Sequence, residues 1–180
     1  MHANLFGDFV KGRDFSHYPE LIQKGIRLHR TIDHYIDHHP AVVELMHKLY
    51  MPLPKIASIA VDLYFDHLLA KYWSEFHPLK LDQFIQNFES TYIIEEHYDK
   101  EMFLIVLSKM KEDQWLKQYQ TMLGLSKACQ GLSNRISFPN VLHMAPEVFI
   151  EHKEVIESSF RVFMNDARPF FEEYYIEHDL

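Results

Sequence analysis

The stretch from Gly25 to Pro40, GIRLHRTIDHYIDHHP, constrains what this chain can fold into more than any other. At 3.6 residues per turn, positions four apart share a helix face, so His29, Asp33 and Asp37 form one polar ridge. Ile26, Leu28, Ile32, Tyr35 and Ile36 cover much of the remaining circumference, and that much apolar surface requires a helix packed into the protein. The ridge is therefore expected to lie in a cleft. Val61 to Trp73, VDLYFDHLLAKYW, repeats the chemistry: Asp62 and Asp66 are four apart, and His67 follows Asp66. Carboxylates and imidazoles inside apolar helices are costly to desolvate unless charge compensates them. A divalent cation would compensate them.

The rest of the chain reads as helix by the same periodicity. Asn4 to Val10 is expected as a short helix ending near Gly12, a residue free to take the left-handed cap conformation. Tyr18-Pro19-Glu20 opens a helix running to about His38, and Pro40 closes it because proline disfavours helix in the residue before it. Ala41 to Tyr50 is a further helical segment, broken by the Met51-Pro52-Leu53-Pro54 turn. Lys55 to His77 reads as one long helix carrying Asp62, Asp66 and His67. Leu79 to Phe88 and Glu101 to Met110 have helical spacing, while Tyr92 to Asp99 fits neither pattern. Gln114 to Asn134 is helical with weak points at Gly124 and Gly131. Phe138-Pro139-Asn140 is a loop, and helices follow from Val141 to the end. No convincing alternating strand appears, so the expectation is an all-α bundle of about seven to nine helices, one domain spanning residues 1–180.

A chain of 180 residues with 47% hydrophobic and 14% aromatic content can bury a substantial core and is not a disordered segment. The net charge of −8 argues against nucleic acid as a partner, which needs a broad basic surface. No long uncharged apolar run and no signal pattern is visible, so a soluble cytoplasmic protein without a membrane partner is expected. The single cysteine, Cys129, excludes an internal disulfide and a thiolate-cage zinc site, and reads as a packing residue. Any metal must then be held by carboxylates and by some of the 13 histidines. Lys24, Arg27 and Arg30 are three apart and trace a basic stripe beside the His29 ridge. The stripe could receive an acidic or phosphorylated partner, or be a solvated face.

Asp8, His29, Asp33, Asp66 and His67 are the candidate metal-site constellation. Adjacent His and Asp residues, with a separate His and Asp elsewhere on a helical scaffold, form the pattern of HD-type metal-dependent phosphohydrolases. Here the adjacent pair is reversed, as Asp66-His67. His-rich helices also bond imidazoles to carboxylates without metal, so spacing alone leaves both readings open. His34, His38 and His39 read as surface residues. A di-iron bundle is disfavoured because Glu44-x-x-His47 has no second pair on a core-like helix. Arg135, in GLSNRISFPN, could supply a guanidinium to a phosphate or be an ordinary surface arginine.

The segments NLFGDFVKG, GIRLHRTIDHYIDHHP, DLYFDHLLAKYW, QWLKQY and LSNRISFP, in this order between about residues 4 and 165, resemble the acyl carrier protein phosphodiesterase family. The resemblance implies an all-α fold akin to a divergent HD-type phosphohydrolase. The activity it implies is hydrolysis of the 4'-phosphopantetheine group from holo acyl carrier protein, dependent on a divalent metal, usually Mn2+ with Mg2+ or Fe2+ as alternatives. Carried over by motif, Asp8, His29, Asp66 and His67 are the expected metal ligands. Asp33 and Arg30 are the expected catalytic residues, and Lys11, Arg27 and Arg135 are expected to contact substrate. Other expectations compatible with the residues are hydrolysis of another small phosphodiester or nucleotide, or a non-catalytic helical binding protein. Similar proteins usually open with about one more helix containing a Met-Asn-(aromatic)-Leu-Ala-His-like stretch, whereas this sequence begins MHANLFGDFVKG. If the His of that segment is a ligand, metal binding here is weakened and His2 substitutes only partly.

Overall fold

Proline and glycine chemistry sets the helix boundaries at the N-terminal end of the computed structural model, which describes residues 1–91 and 97–179. Pro19 lies just before α2 (Glu20–His38), and Pro40 occupies the first turn of α3 (Pro40–Leu49), where its missing N–H costs nothing. The first helix, α1 (His2–Phe6), begins two residues earlier than its spacing suggests and runs into a 3-10 turn at Gly7–Phe9. Gly12 follows at φ +86°, the left-handed conformation expected of it. The remaining helices are α4 (Ala57–Lys71), α5 (Trp73–Phe76), α6 (Leu81–Ser90), α7 (Glu101–Glu112), α8 (Trp115–Gln118), α9 (Met122–Ser133), α10 (Ala145–Glu151) and α11 (Lys153–Glu177). The described residues contain no strand.

The all-α expectation holds, but the described residues form eleven helices where seven to nine were expected. The excess comes from long segments that split. Lys55–His77 breaks at Tyr72 into α4 and α5, and the chain after Val141 divides at His152 into α10 and α11. Gln114–Asn134 divides into α8 and α9, where the Thr121 hydroxyl accepts the Gly124 N–H at 3.0 Å and starts the new helix. Gly124 is not a weak point: a Cβ there would run into the Gln118 carbonyl, so the glycine is what lets α8 fold back on α9. Of the stretch Tyr92 to Asp99, residues 92–96 lie outside the described residues. At its far end the Tyr18 hydroxyl donates to Asp99 Oδ1 at 2.6 Å.

Two apolar clusters hold the helices. The larger joins Leu45 and Leu49 of α3, Tyr64 and Leu68 of α4, Leu125 and Cys129 of α9, Phe149 of α10 and Phe160 of α11. The smaller joins Phe6 of α1, Ile22 and Ile26 from the N-terminal half of α2, Tyr98, and Phe103 of α7. Buried residues lie nearly all round α4, and the Tyr64 hydroxyl donates to the Ala145 carbonyl at 2.6 Å. Between Ala60 and Leu68 of this helix, Asp62 and Asp66 are the exposed positions and every other residue is buried.

Candidate active site

One wall of the site is α2. The His29 ring nitrogen Nε2 lies 3.2 Å from Asp33 Oδ2, the contact that the spacing of four predicts. The 3-10 turn sits directly on this ring: a Cβ at Gly7 would fall 2.5 Å from His29 Cβ. The turn brings in Asp8. Burial raises the Asp33 pKa, the charges of Asp8 and Asp37 push it further up, and His29 opposes them. These residues therefore share one patch.

The facing wall is α4. Asp62 is pushed up to about 6 by burial first and then by the charges of Asp37 and Asp33 across the gap. Asp66 is pushed up to about 7 by burial and by Asp62. Both side chains reach water although protein crowds around them, which is the environment of a cleft floor. Asp37 and Asp62 thus belong to the site and were absent from the expected set. The spacing of four that paired each with a chosen residue was the available signal.

His67 does not join them. Only 2% exposed, it faces the core, its Nδ1 donating to the Tyr119 carbonyl at 2.7 Å and its ring edge-on to Phe149 at 5.2 Å. Burial lowers its pKa, so it is held neutral. The expected quartet Asp8, His29, Asp66 and His67 is therefore not assembled, because adjacent helix residues point about 100° apart and only Asp66 faces the gap. Among the described residues, no three His, Cys, Asp or Glu side chains meet as a ready-made cage. The donor chemistry that suits a hard divalent cation is that of the two walls, where carboxylates raise one another's pKa for want of positive charge. His67→Ala should cost about 2–4 kcal/mol, the loss of a buried side chain and of the Tyr119 carbonyl's partner, measured by denaturant unfolding.

The basic residues divide into three groups. Arg30 donates to the carbonyls of Val10 at 3.1 Å and Gly12 at 2.6 Å, on either side of Lys11, and its guanidinium lies over the Phe15 ring. It shapes the loop that presents Lys11. Arg27 bonds to Gln23 and also lies near Phe15, and Lys24 reaches the Asp179 carbonyl, so the basic stripe is largely engaged within the chain. Arg135 lies elsewhere, lining a cavity of about 420 Å³ between α4, α8 and α9. His2 is buried, stacked on Phe88 at 4.2 Å, and is not brought to the ridge. His39, read from the sequence as a surface residue, is buried, with Nε2 3.3 Å from Asp166 of α11.

A family model described as acyl carrier protein phosphodiesterase matches residues 1–167. The chain is similar to the acyl carrier protein phosphodiesterase of Yersinia pestis, with 27% identity over 164 residues, 89% of this chain and 84% of that protein. It is likewise similar to the proteins of that name from Klebsiella pneumoniae (strain 342), at 27% identity over 88% of this chain and 82% of theirs, and from Photorhabdus laumondii, at 29% over 74% and 68%. No solved structure matches the chain.

Proposed function

The chain belongs to the acyl carrier protein phosphodiesterase family, and from that premise we propose that it hydrolyses the phosphodiester joining 4'-phosphopantetheine to a carrier-protein serine. The observation that carries this reading is the cleft itself, where His29 touches Asp33 at 3.2 Å and Asp8, Asp62 and Asp66 face the same gap. A water oxygen bonds to phosphorus, the bond from phosphorus to the serine oxygen breaks, and the serine oxygen takes up a proton. Apo carrier protein and free 4'-phosphopantetheine result. Asp33 orients the His29 ring next to the attacking water. Lys11 steadies the anionic diester, and Arg30 acts through Lys11 by holding its loop.

A divalent cation, manganese above all with Mg2+ or Fe2+ as alternatives, is part of the proposal. Asp8, His29, Asp62 and Asp66 would hold it, and it would supply charge neutralisation at the phosphoryl oxygens and a more acidic bound water. No helix among the described residues is long and apolar enough to cross a membrane, and we place the reaction in the cytoplasm.

Mass spectrometry of holo carrier protein incubated with the protein and Mn2+ tests the reading: loss of the phosphopantetheine mass is expected. Retention of that mass, with hydrolysis of a small chromogenic phosphodiester, would reassign the substrate. Lys11→Ala and Arg30→Ala are each expected to lower kcat/KM about tenfold, roughly the effect of one lost charge-assisted hydrogen bond. The double variant should be hardly worse than either single one, because both changes remove the same contact.

A further inference from the structure

α2 carries a second set of polar side chains that the cleft does not use. His34 and His38 are four residues apart, so they stand one above the other on the helix, and both are exposed. Each follows a ridge aspartate by one residue and therefore points about 100° away from it around the helix. Their rings lie beside each other, with centroids 4.2 Å apart and planes inclined by 37°. Among the described residues the histidines in ion pairs are His29 and His39, so neither His34 nor His38 is tied to a carboxylate.

The backbone supplies a second, independent observation. His38 Nδ1 lies 2.8 Å from the His34 carbonyl oxygen, and a carbonyl only accepts, so the proton of the neutral ring is on Nδ1 and the lone pair is on Nε2. Metal-binding imidazoles are held in this way, one nitrogen donating to an oxygen and the other free for the ion. An ion about 2.1 Å from one nitrogen of each ring stands roughly 3.2 Å from each ring centre. With the centres 4.2 Å apart, the two bonds meet at roughly 80°. That is close to the angle between neighbouring ligands of a square-planar or octahedral ion, which among imidazole-binding metals favours Cu2+ and Ni2+ over tetrahedral Zn2+.

We propose that His34 and His38 form a two-imidazole site on α2 for a divalent transition metal of the Cu2+ or Ni2+ class, with water completing the coordination. It is separate from the carboxylate cleft, because imidazole nitrogens suit these metals and carboxylate oxygens suit Mg2+ and Mn2+. The assignment stands apart from the functional reading above. Calorimetry with Ni2+ on the full-length chain, in an excess of Mn2+ that occupies the oxygen donors, tests it. The wild type should bind one Ni2+ with a rise in Tm, since the ion binds the folded chain. His34→Ala and His38→Ala should each weaken that binding tenfold or more and abolish the rise, while their Tm without metal stays at the wild-type value. Asp66→Asn, altered in the cleft, should bind Ni2+ as the wild type does. Absence of Ni2+ binding by the wild type overturns the proposal, and so does wild-type binding by either histidine variant, which would leave one imidazole or another site as the ligand. Loss of Ni2+ binding in Asp66→Asn would move the ion to the cleft and overturn it as well.

Discussion

Asp66→Asn should abolish phosphodiester hydrolysis while making the protein more stable at neutral pH. The carboxyl of Asp66 titrates at about 7 in the fold, against 3.8 for the ordinary group, because burial and Asp62 disfavour its charge. A carboxyl whose folded pKa lies above its unfolded value binds more protons folded than unfolded between those two limits. Stability is therefore undiminished below about pH 4, falls as pH rises, and reaches its full loss above pH 7. Asparagine carries no charge and removes that loss. The side chain is open to water, so solvent screening reduces the gain to about 1 kcal/mol, or a few degrees in Tm for a chain of this length. The gain should be present at pH 8 and vanish near pH 3.5, as read from denaturant unfolding at the two values. Asp62→Asn should behave in the same direction with a smaller gain, since its carboxyl rises only to about 6. Activity should fall a hundredfold or more, the scale of removing a group that acts directly on developing charge. A variant that lost stability at pH 8 would contradict the crowded-carboxylate description.

Gly25→Ala should carry the largest structural penalty of any single methyl in the N-terminal half. Gly25 lies where α2 crosses α1, and an added Cβ would collide with the backbone of Ala3. Backbone cannot rotate aside as a side chain can, so α1 must shift, together with the Gly7–Phe9 turn that carries Asp8 onto His29. A loss of about 2–3 kcal/mol is expected, the upper range for overpacking a close contact. Activity should fall more than tenfold in protein that is still folded, because about 1 Å of misplacement at a reacting centre costs a hundredfold. Thermal unfolding and holo carrier protein cleavage on the same preparation check both effects. Wild-type activity in the variant would separate α1 from the chemistry.

The helical architecture and the His29–Asp33 contact were legible because both follow from the period of the α-helix, a local property. The same period also held the answer for His67. Asp62 and Asp66 share a face, so the residue next to Asp66 points elsewhere, and reading the Asp-His pair as a unit overrode the geometry. The interruptions at Tyr72 and His152 were not legible, since neither proline nor glycine marks them. Nor was the fate of Arg30, whose carbonyl partners lie 18 and 20 residues away, or the burial of His39 against Asp166, 127 residues away. Those contacts depend on how helices meet. Arg135 was singled out for its guanidinium alone, and only the folded chain shows the cavity beside it.

The N-terminal half of α2 packs in the smaller apolar cluster, whereas Ile36 near its far end and the helix α4 pack in the larger. Among the described residues, no hydrogen bond or ion pair ties α2 to α4 directly, but α11 spans them, with Phe170 stacked on Tyr35 at 4.6 Å and Phe160 edge-on to Phe65 at 5.4 Å. The spacing of the two acidic walls is therefore held by a third helix, which acts on the gap from behind both of them.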